Sequence, residues 1–141
     1  MNKIDKNFII DNQILFLGVA KKYKMFCNTA YKAFVKNGIK VFPVKIDDAA
    51  YDFDAFNSID DIPVLPKTAY SILDTPDNKK IVKELKNKGV AKILFNSKNI
   101  IDEELISLCK NLGLEVAVSC PLMLYGRGFH RFHGFLSGVK K

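Results

Sequence analysis

The feature that most constrains the fold of this chain is a regular alternation between short apolar runs and longer stretches with helical periodicity. Ile14 to Leu17 form a continuous apolar run that ends at Gly18, which predicts a strand buried on both faces. Between residues 26 and 36 apolar side chains recur at helical spacing, and IKVFPV then predicts a second strand. A strand, a helix and a strand joined by short links predict a right-handed βαβ unit.

The same alternation continues through the rest of the chain. It predicts further strands in KTAYSIL, AKILF and LEVAVSCP, and further helices in TPDNKKIVKELKNKGV and IDEELISLCKNLG. Thr75 is the predicted N-cap of the first of these helices and Pro76 its first helical residue, because proline favours that position. Strands that alternate with helices in this way predict an α/β fold. We expect a Rossmann-like, doubly wound, five-stranded parallel sheet in the order 3-2-1-4-5.

The length of the chain and its uninterrupted pattern predict one domain. The stretch from Asp47 to Leu65 falls outside the alternation and is expected to be the loop that joins strands two and three. A length of 141 residues suits a single domain over 1–141, with a basic, aromatic tail at 126–141. No apolar run approaches the roughly 20 residues of a membrane span, and the first residues lack a signal-peptide pattern. We therefore expect a cytoplasmic protein without a membrane partner.

The basic charge comes almost entirely from dispersed lysines. The net charge is +7, and all but two of the 22 basic residues are lysines, the exceptions being Arg127 and Arg131. Nucleic-acid-binding proteins more often concentrate arginine and lysine on one face, so we do not expect nucleic acid to be the main partner. The charge is compatible with a small polyanionic ligand.

Cys27, Cys109 and Cys120 have no paired spacing and no CxxC motif, which argues against a disulfide framework or a zinc ribbon. Cys109 lies on an apolar helix face and is predicted to be core. Cys27 lies near a helix N-terminus, where the pKa of a thiol is expected to fall. Cys120 ends the fifth strand on the side where ligands bind, and it suits either a small apolar position or a thiol close to a ligand.

The turn after the first strand is the candidate ligand-binding element. In open α/β sheets ligands bind beyond the carboxyl ends of the strands, which places Gly18, Val19, Ala20 and Lys21 at one wall of the predicted crevice. The helix that follows offers unpaired amides and the positive end of its dipole to an anion. Gly18 suits a close approach of a ligand to the backbone, and it equally suits a tight strand-to-helix turn.

The usual dinucleotide fingerprint is absent from this turn. Gly18 stands alone, and Ala20 occupies the second glycine position of G-x-G-x-x-G. Lys45 ends the second strand, where NAD-binding proteins generally place an acid, and a lysine there would attract a phosphorylated ribose. Asp47 follows only two residues later. The turn therefore favours NADP or coenzyme A over NAD.

The stretch ILFLGVAKKYKMFCNTAYKAFVKNGIKVFPV resembles the opening of the CoA-binding domain family, whose small bacterial members are single Rossmann-like domains. The family pattern is an apolar strand, a G-A-S turn, K-F-G-N, a helix and a strand ending in V-x-P-V. The positions that match this pattern are Gly18, Lys24, Phe26, Asn28, Val41, Pro43 and Val44. SIDDIPV, VSCPLMLY and HRFHGFL resemble later parts of the family, so the similarity runs from Ile14 to about Leu136.

Three departures from the family pattern concern the turn and the fourth strand. Ala20 replaces the serine of the turn, so a hydroxyl contact to phosphate is lost there. Cys27 replaces a glycine before Asn28, and KILFNSKNI lacks the usual W-x-Q-x-G. These changes bear on ligand affinity more than on the fold.

The resemblance implies non-catalytic binding of a small nucleotide ligand, coenzyme A or an acyl-CoA, at the first turn. Larger relatives such as succinyl-CoA synthetase join such a domain to others, whereas this chain is expected to be a binding module rather than an enzyme. Gly18, Val19 and Ala20 would cradle the pyrophosphate, and Lys24 and Asn28 would fix its position. The complete set of predicted ligand contacts is Gly18, Val19, Ala20, Lys21, Lys24, Phe26, Asn28, Pro43, Lys45 and Cys120.

Three alternatives remain open from the sequence. An NADP-dependent reductase would need a substrate domain or a catalytic Tyr/Lys pair that the sequence does not show. The tail at 126–141 could bind single-stranded nucleic acid through its arginines and phenylalanines, although a closing helix or a homodimer contact fits it better. His130 and His133 could bind a metal together with Cys120, but no further spaced ligand supports that site.

Overall fold

The protein, in a computed structural model that describes residues 8–119, 121 and 122, is built on one parallel sheet with helices on both faces. The strands are β1 (Gln13–Val19), β2 (Lys40–Lys45), β3 (Thr68–Ser71), β4 (Lys92–Phe95) and β5 (Glu115–Val118). The helices are α1 (Lys24–Lys36), α2 (Thr75–Asn87) and α3 (Glu103–Leu112). The predicted alternation of strands and helices is confirmed, as is the doubly wound, Rossmann-like fold class.

The helix ends follow local chemistry, with one correction. The Asp102 carboxylate accepts a hydrogen bond from the Leu105 amide at 2.8 Å and caps α3, and Gly113 ends that helix with a φ of 81°. The prediction that Thr75 caps α2 is wrong by one residue. Asp74 is the N-cap with an extended backbone, and Thr75 is already helical, since Pro76 is tolerated anywhere in the first turn, where amides have no helical acceptor.

The strand order is β2-β1-β3-β4-β5, so the expected order 3-2-1-4-5 is wrong. β3 lies in the centre of the sheet, where it pairs with β1 through Leu15 and Ala69 and with β4 on its other side. The physical reason is burial: every residue of β3 is buried, and a central strand is covered on both faces by the helices and paired along both edges.

The outer edge of β2 is covered by part of the segment 47–65, which was expected to be a connecting loop. Phe56 forms an isolated parallel bridge with Val44. The Phe56 amide donates to the Pro43 carbonyl at 2.8 Å, and the Lys45 amide donates to the Phe56 carbonyl at 3.0 Å. This short piece of backbone pairs groups that an open sheet edge would leave exposed.

The core is divided by the sheet into two layers. On the α1 face, the ring of Tyr70 packs edge-on against Phe16 and Phe34, with ring centroids 4.9 Å and 5.4 Å apart. On the opposite face, side chains of β1 such as Leu15 and Leu17 pack with residues of α2 and α3. Each fully buried large apolar side chain contributes about 1.5–3 kcal/mol to folding. The alternation of side chains along β1 thus supplies both layers.

The connections from neighbouring strands leave the sheet in opposite directions. The chain after β1 enters α1 on one face, and the chain after β3 enters α2 on the other. Because β1 and β3 are adjacent, their carboxyl ends flank the point where a crevice forms in this class of fold. The fold therefore places the turn after Leu17 at one wall of a crevice.

No helix among the described residues is long and apolar enough to span a membrane.

Cys109 is a core residue, as predicted. Because of its thiol, the free energy of unfolding is expected to fall as the pH rises above 9. Burial raises the pKa of its thiol from 9.0 to about 11. Its stabilising effect is complete below pH 9, where the thiol is protonated in both states, and declines toward pH 11 as only the unfolded thiol ionises. We expect a loss of about 2 kcal/mol from this group in urea denaturation series across that range. The Cys109→Ala variant lacks this component, and parallel pH curves for the two proteins would contradict the prediction.

Candidate functional site

Gly18 is held in a conformation and a space that suit only glycine. It has a φ of +98° and is the extra residue in the pairing of β1 with β2, between Leu17 and Val19. A Cβ atom at this position would lie 3.0 Å from Ile72 Cγ1 and 3.2 Å from the Leu73 amide nitrogen. Gly18 therefore forms a bulge within β1 rather than the strand-to-helix turn itself, and the backbone there lies directly against the chain after β3.

Val19 and Ala20 contribute backbone groups to the turn, since their side chains are buried in the core. The Val19 carbonyl accepts a hydrogen bond from the Ile46 amide at 2.9 Å, and the Ala20 carbonyl accepts one from the Tyr23 amide at 3.0 Å. A 3-10 turn over Lys21–Tyr23 then leads into α1. The exit of β1 is thus fixed to the exit of β2.

The start of α1 is a positively polarised surface. Lys21, Lys22 and Lys24 are all exposed around it. Within the described part of the chain, Tyr23 at the N-cap position makes no side-chain cap, and the Lys24 amide donates to the Lys21 carbonyl of the preceding 3-10 turn. The dipole of a helix favours an anion at its N-terminus, and nearby ammonium groups add to that preference. Lys21 and Lys24, both predicted contacts, lie where such an anion would bind.

Asp47 makes a set of contacts with the turn that the sequence did not reveal. Its carboxylate accepts hydrogen bonds from the Lys21 amide at 2.6 Å, the Ala49 amide at 3.1 Å and the Tyr51 hydroxyl at 2.5 Å. The hydrogen bond from Tyr51, followed by that from Lys21, lowers the pKa of Asp47. Burial and the same carboxylate raise the pKa of Tyr51. Asp47 therefore stays charged and Tyr51 stays protonated at neutral pH.

Asn28 attaches the chain that follows Asp47 to α1. Its side-chain oxygen accepts a hydrogen bond from the Asp52 amide at 3.2 Å. The next residue, Phe53, stacks on Tyr31 of α1 with ring centroids 4.2 Å apart. The structure gives Asn28 this structural partner, and its contact with a ligand stays a prediction.

Lys45 borders a depression at the carboxyl end of β2. The depression has a volume of about 390 Å³, and it is lined by Lys45, Ile46, Asp47, Asp48 and Asn57. Lys45 is the register partner of Val19, so the residue expected near a ribose phosphate is adjacent to the first turn. Pro43 is buried within β2 and is not among the lining residues of this depression.

Phe26 and Cys27 lie on the inner side of α1. Phe26 is half-buried against the core, and Cys27 is completely buried. The expectation of a lowered thiol pKa is wrong, because burial raises the pKa of Cys27 by more than the hydrogen bond from Ala20 lowers it, and Asp47 raises it further. Cys120, His130, His133 and the tail lie outside the described residues.

A buried polar network fixes the opposite wall of the crevice. Ser71 Oγ donates to Asn78 Oδ1 at 2.6 Å and accepts from the Leu73 amide at 3.1 Å. Asn78 Nδ2 donates to the carbonyls of Leu73 and Ile100 at 2.9 Å and 3.2 Å. The sequence contained a signal for this network, because Asn78 comes four residues before Val82 and so lies on the same, buried face of α2. This network holds Leu73, the residue on which Gly18 packs.

The described residues bring together no group of three His, Cys, Asp or Glu side chains that could hold a metal ion. What these residues do assemble is a turn packed against the chain after β3, a helix N-terminus and a cluster of lysines. That arrangement is suited to binding an anion through the helix dipole and ammonium groups.

Solved structures with the same fold include hypothetical proteins of low sequence identity. A conserved hypothetical protein from Pyrococcus furiosus is 18% identical, with a TM-score of 0.65 and coverage of 85% of this chain and 97% of that chain. A hypothetical protein from Pyrococcus horikoshii OT3 is 17% identical, with a TM-score of 0.65 and coverage of 98% and 100%. A protein from Thermus thermophilus is 19% identical, with a TM-score of 0.64 and coverage of 80% and 86%. These likenesses show the fold.

The family of the chain follows from its sequence. No curated protein is significantly similar to it, but the sequence model of the family described as "CoA binding domain" matches residues 12–126. The chain therefore belongs to the CoA binding domain family, and the resemblance drawn from the first turn and the second strand is confirmed.

The packing of Gly18 leads to a matched pair of substitutions. Gly38 also has a positive φ, of 83°, but a Cβ there would meet nothing within 4 Å. We expect Gly38→Ala to cost about 1–2 kcal/mol of stability from backbone strain, and Gly18→Ala about 1–3 kcal/mol more from overpacking. Urea denaturation measures both values, and equal losses would show that the contact with Leu73 is unimportant.

Proposed function

We propose that this member of the CoA binding domain family binds coenzyme A or an acyl-CoA at the turn between β1 and α1. The observation that carries the proposal is the family match, which covers residues 12–126 and so includes the turn, α1 and β2. The geometry of the turn supports the same place.

The diphosphate of the ligand binds at the start of α1 in this proposal. The backbone of Gly18, Val19 and Ala20 forms the floor, and Lys21 and Lys24 supply positive charge at the rim. Both lysine side chains are exposed, so they can turn toward a ligand at little cost. Ala20 offers no hydroxyl, and the Lys21 amide is bonded to Asp47, so phosphate recognition falls to the helix dipole and the lysines.

The ribose of the ligand lies toward β2. Lys45 is adjacent to Val19 and borders the depression of about 390 Å³. In this position its ammonium group would attract the 3′-phosphate that distinguishes coenzyme A from dephospho-coenzyme A. Asp48 lines the same depression and can accept a hydrogen bond from the remaining ribose hydroxyl.

Exposed apolar side chains flank the turn and can cover the apolar parts of the ligand. Met25 is 83% exposed, Ile46 60% and Tyr23 41%. Ligand sites typically combine a few polar contacts with apolar walls. We propose that these residues contact the adenine or the pantetheine arm.

The role proposed for the chain is binding rather than catalysis. Cys27 and Cys109 are buried, and burial raises the pKa of both thiols, so neither is activated as a nucleophile. A binding module needs only the turn and its surroundings. The tail at 126–141 and Cys120 remain candidates for further contacts with the ligand.

The proposal predicts a ranking of ligands and a selective effect at Lys45. Coenzyme A at about a hundred times its dissociation constant should add about 2.7 kcal/mol of stability, a rise in melting temperature on the order of 10 °C. Dephospho-coenzyme A, NADP and NAD should give smaller shifts.

Lys45→Gln should weaken the binding of coenzyme A about three- to tenfold, since one phosphate contact is lost, and leave the binding of dephospho-coenzyme A almost unchanged.

Lys36→Gln is the matched control, because it makes the same charge change at the far, exposed end of α1. Calorimetric titration gives the dissociation constants. Equal losses for both ligands in Lys45→Gln would contradict the role of Lys45. No stabilisation by any of the four ligands would contradict the proposed function itself.

A further inference from the structure

We infer that Asp47 is a positioning residue for the ligand: its carboxylate holds the turn after β1 in the shape that accepts the diphosphate. The inference rests on the function proposed above and assigns a role to a residue outside the set predicted from the sequence. It is carried by the hydrogen bonds between this carboxylate and the turn.

The two oxygens of the Asp47 carboxylate serve different parts of the chain. Oδ2 accepts the hydrogen bond from the Lys21 amide, at the start of the 3-10 turn that leads into α1. Oδ1 accepts from the Ala49 amide and the Tyr51 hydroxyl, both in the segment after β2. The side chain therefore joins the turn that should hold the ligand to a segment that is anchored elsewhere.

That segment is anchored well enough to support the turn. The Ile46 amide bonds to the Val19 carbonyl on one side of Asp47. On the other side, the Asp52 amide bonds to Asn28 and Phe53 stacks on the ring of Tyr31, both on α1. The position of Asp47 is thus set from two directions before it contacts Lys21.

The turn itself has little other support between Ala20 and α1. Lys21, Lys22 and Tyr23 have exposed side chains, and two backbone bonds, from Tyr23 to Ala20 and from Lys24 to Lys21, form the 3-10 turn. Hydrogen bonds in such a turn have poorer geometry than those of an α-helix. The carboxylate adds a partner outside the turn at the amide of Lys21 and fixes the direction in which the following amides point.

The negative charge of Asp47 would also repel a phosphate, so the two effects have opposite signs. Asp47 is only partly buried, and water screens a charge in that position. Its charge is further offset by the donors that surround it. We therefore expect the loss of positioning to outweigh the relief of repulsion when the side chain is removed.

Three substitutions separate the two effects. Asp47→Ala removes the acceptor and should weaken binding of coenzyme A at least tenfold in calorimetric titration. Asp47→Asn keeps an oxygen for the Lys21 amide, and its amide group can donate to the Tyr51 hydroxyl, although the Ala49 amide loses its acceptor. Because the bond to the turn is kept, affinity should stay within threefold of the parent protein. Asp54→Ala makes the same charge change at an exposed residue of the same segment, which does not line the depression beside Lys45, and should also stay within threefold.

Hydrogen exchange at the Lys21 amide gives a second readout that needs no ligand. Exchange should accelerate at least tenfold in Asp47→Ala and remain slow in Asp47→Asn and Asp54→Ala, while the three melting temperatures stay close together. Tighter binding of coenzyme A by Asp47→Ala would overturn the inference, because the carboxylate would then compete with the ligand. Unchanged exchange in Asp47→Ala would also overturn it. If the parent protein binds no coenzyme A but exchange behaves as expected, the proposed function fails and the positioning of the turn stands.

Discussion

The close approach of the chain after β1 to the chain after β3 is the constraint on which the rest of the structure depends. It requires a residue without a side chain at Gly18, whose Cβ would lie 3.2 Å from the Leu73 amide nitrogen. Leu73 is held in turn by Ser71 and Asn78. This contact brings the two walls of the crevice together at the point where the first connection leaves on one face of the sheet and the second on the other.

The sequence predicted what local patterns encode and missed what depends on partners distant in the chain. Helix α1 and strand β1 follow from periodicity and turn residues, and both were predicted to within two residues. The strand order was predicted wrongly, because the central place of β3 depends on its burial between two neighbouring strands. The role of Phe56, which covers the edge of β2 from an apparent loop, also depends on a partner distant in the chain. Asp47 was noted only for its place two residues after Lys45, since its contact with the Lys21 amide spans 26 residues.

The candidate site combines opposite charges in a small volume. The lysines around the start of α1 favour an anion, whereas the carboxylate of Asp47 is used internally by the backbone and Tyr51. In the account proposed above, a phosphate would bind at a turn with a single glycine, and the Asp47 side chain would hold that turn in place. The departure from the G-A-S turn at Ala20 removes a hydroxyl but leaves the bond between Asp47 and the Lys21 amide in place.

The location of the ligand is the central claim, and backbone amide shifts in a ¹H–¹⁵N spectrum test it most directly. Titration with coenzyme A should produce its largest shifts at Gly18, at Lys21–Cys27 and at Lys45. Saturating coenzyme A that left these amides unchanged would contradict the account. So would shifts concentrated at Ile59–Leu65, the segment that precedes β3 at the opposite end of the sheet.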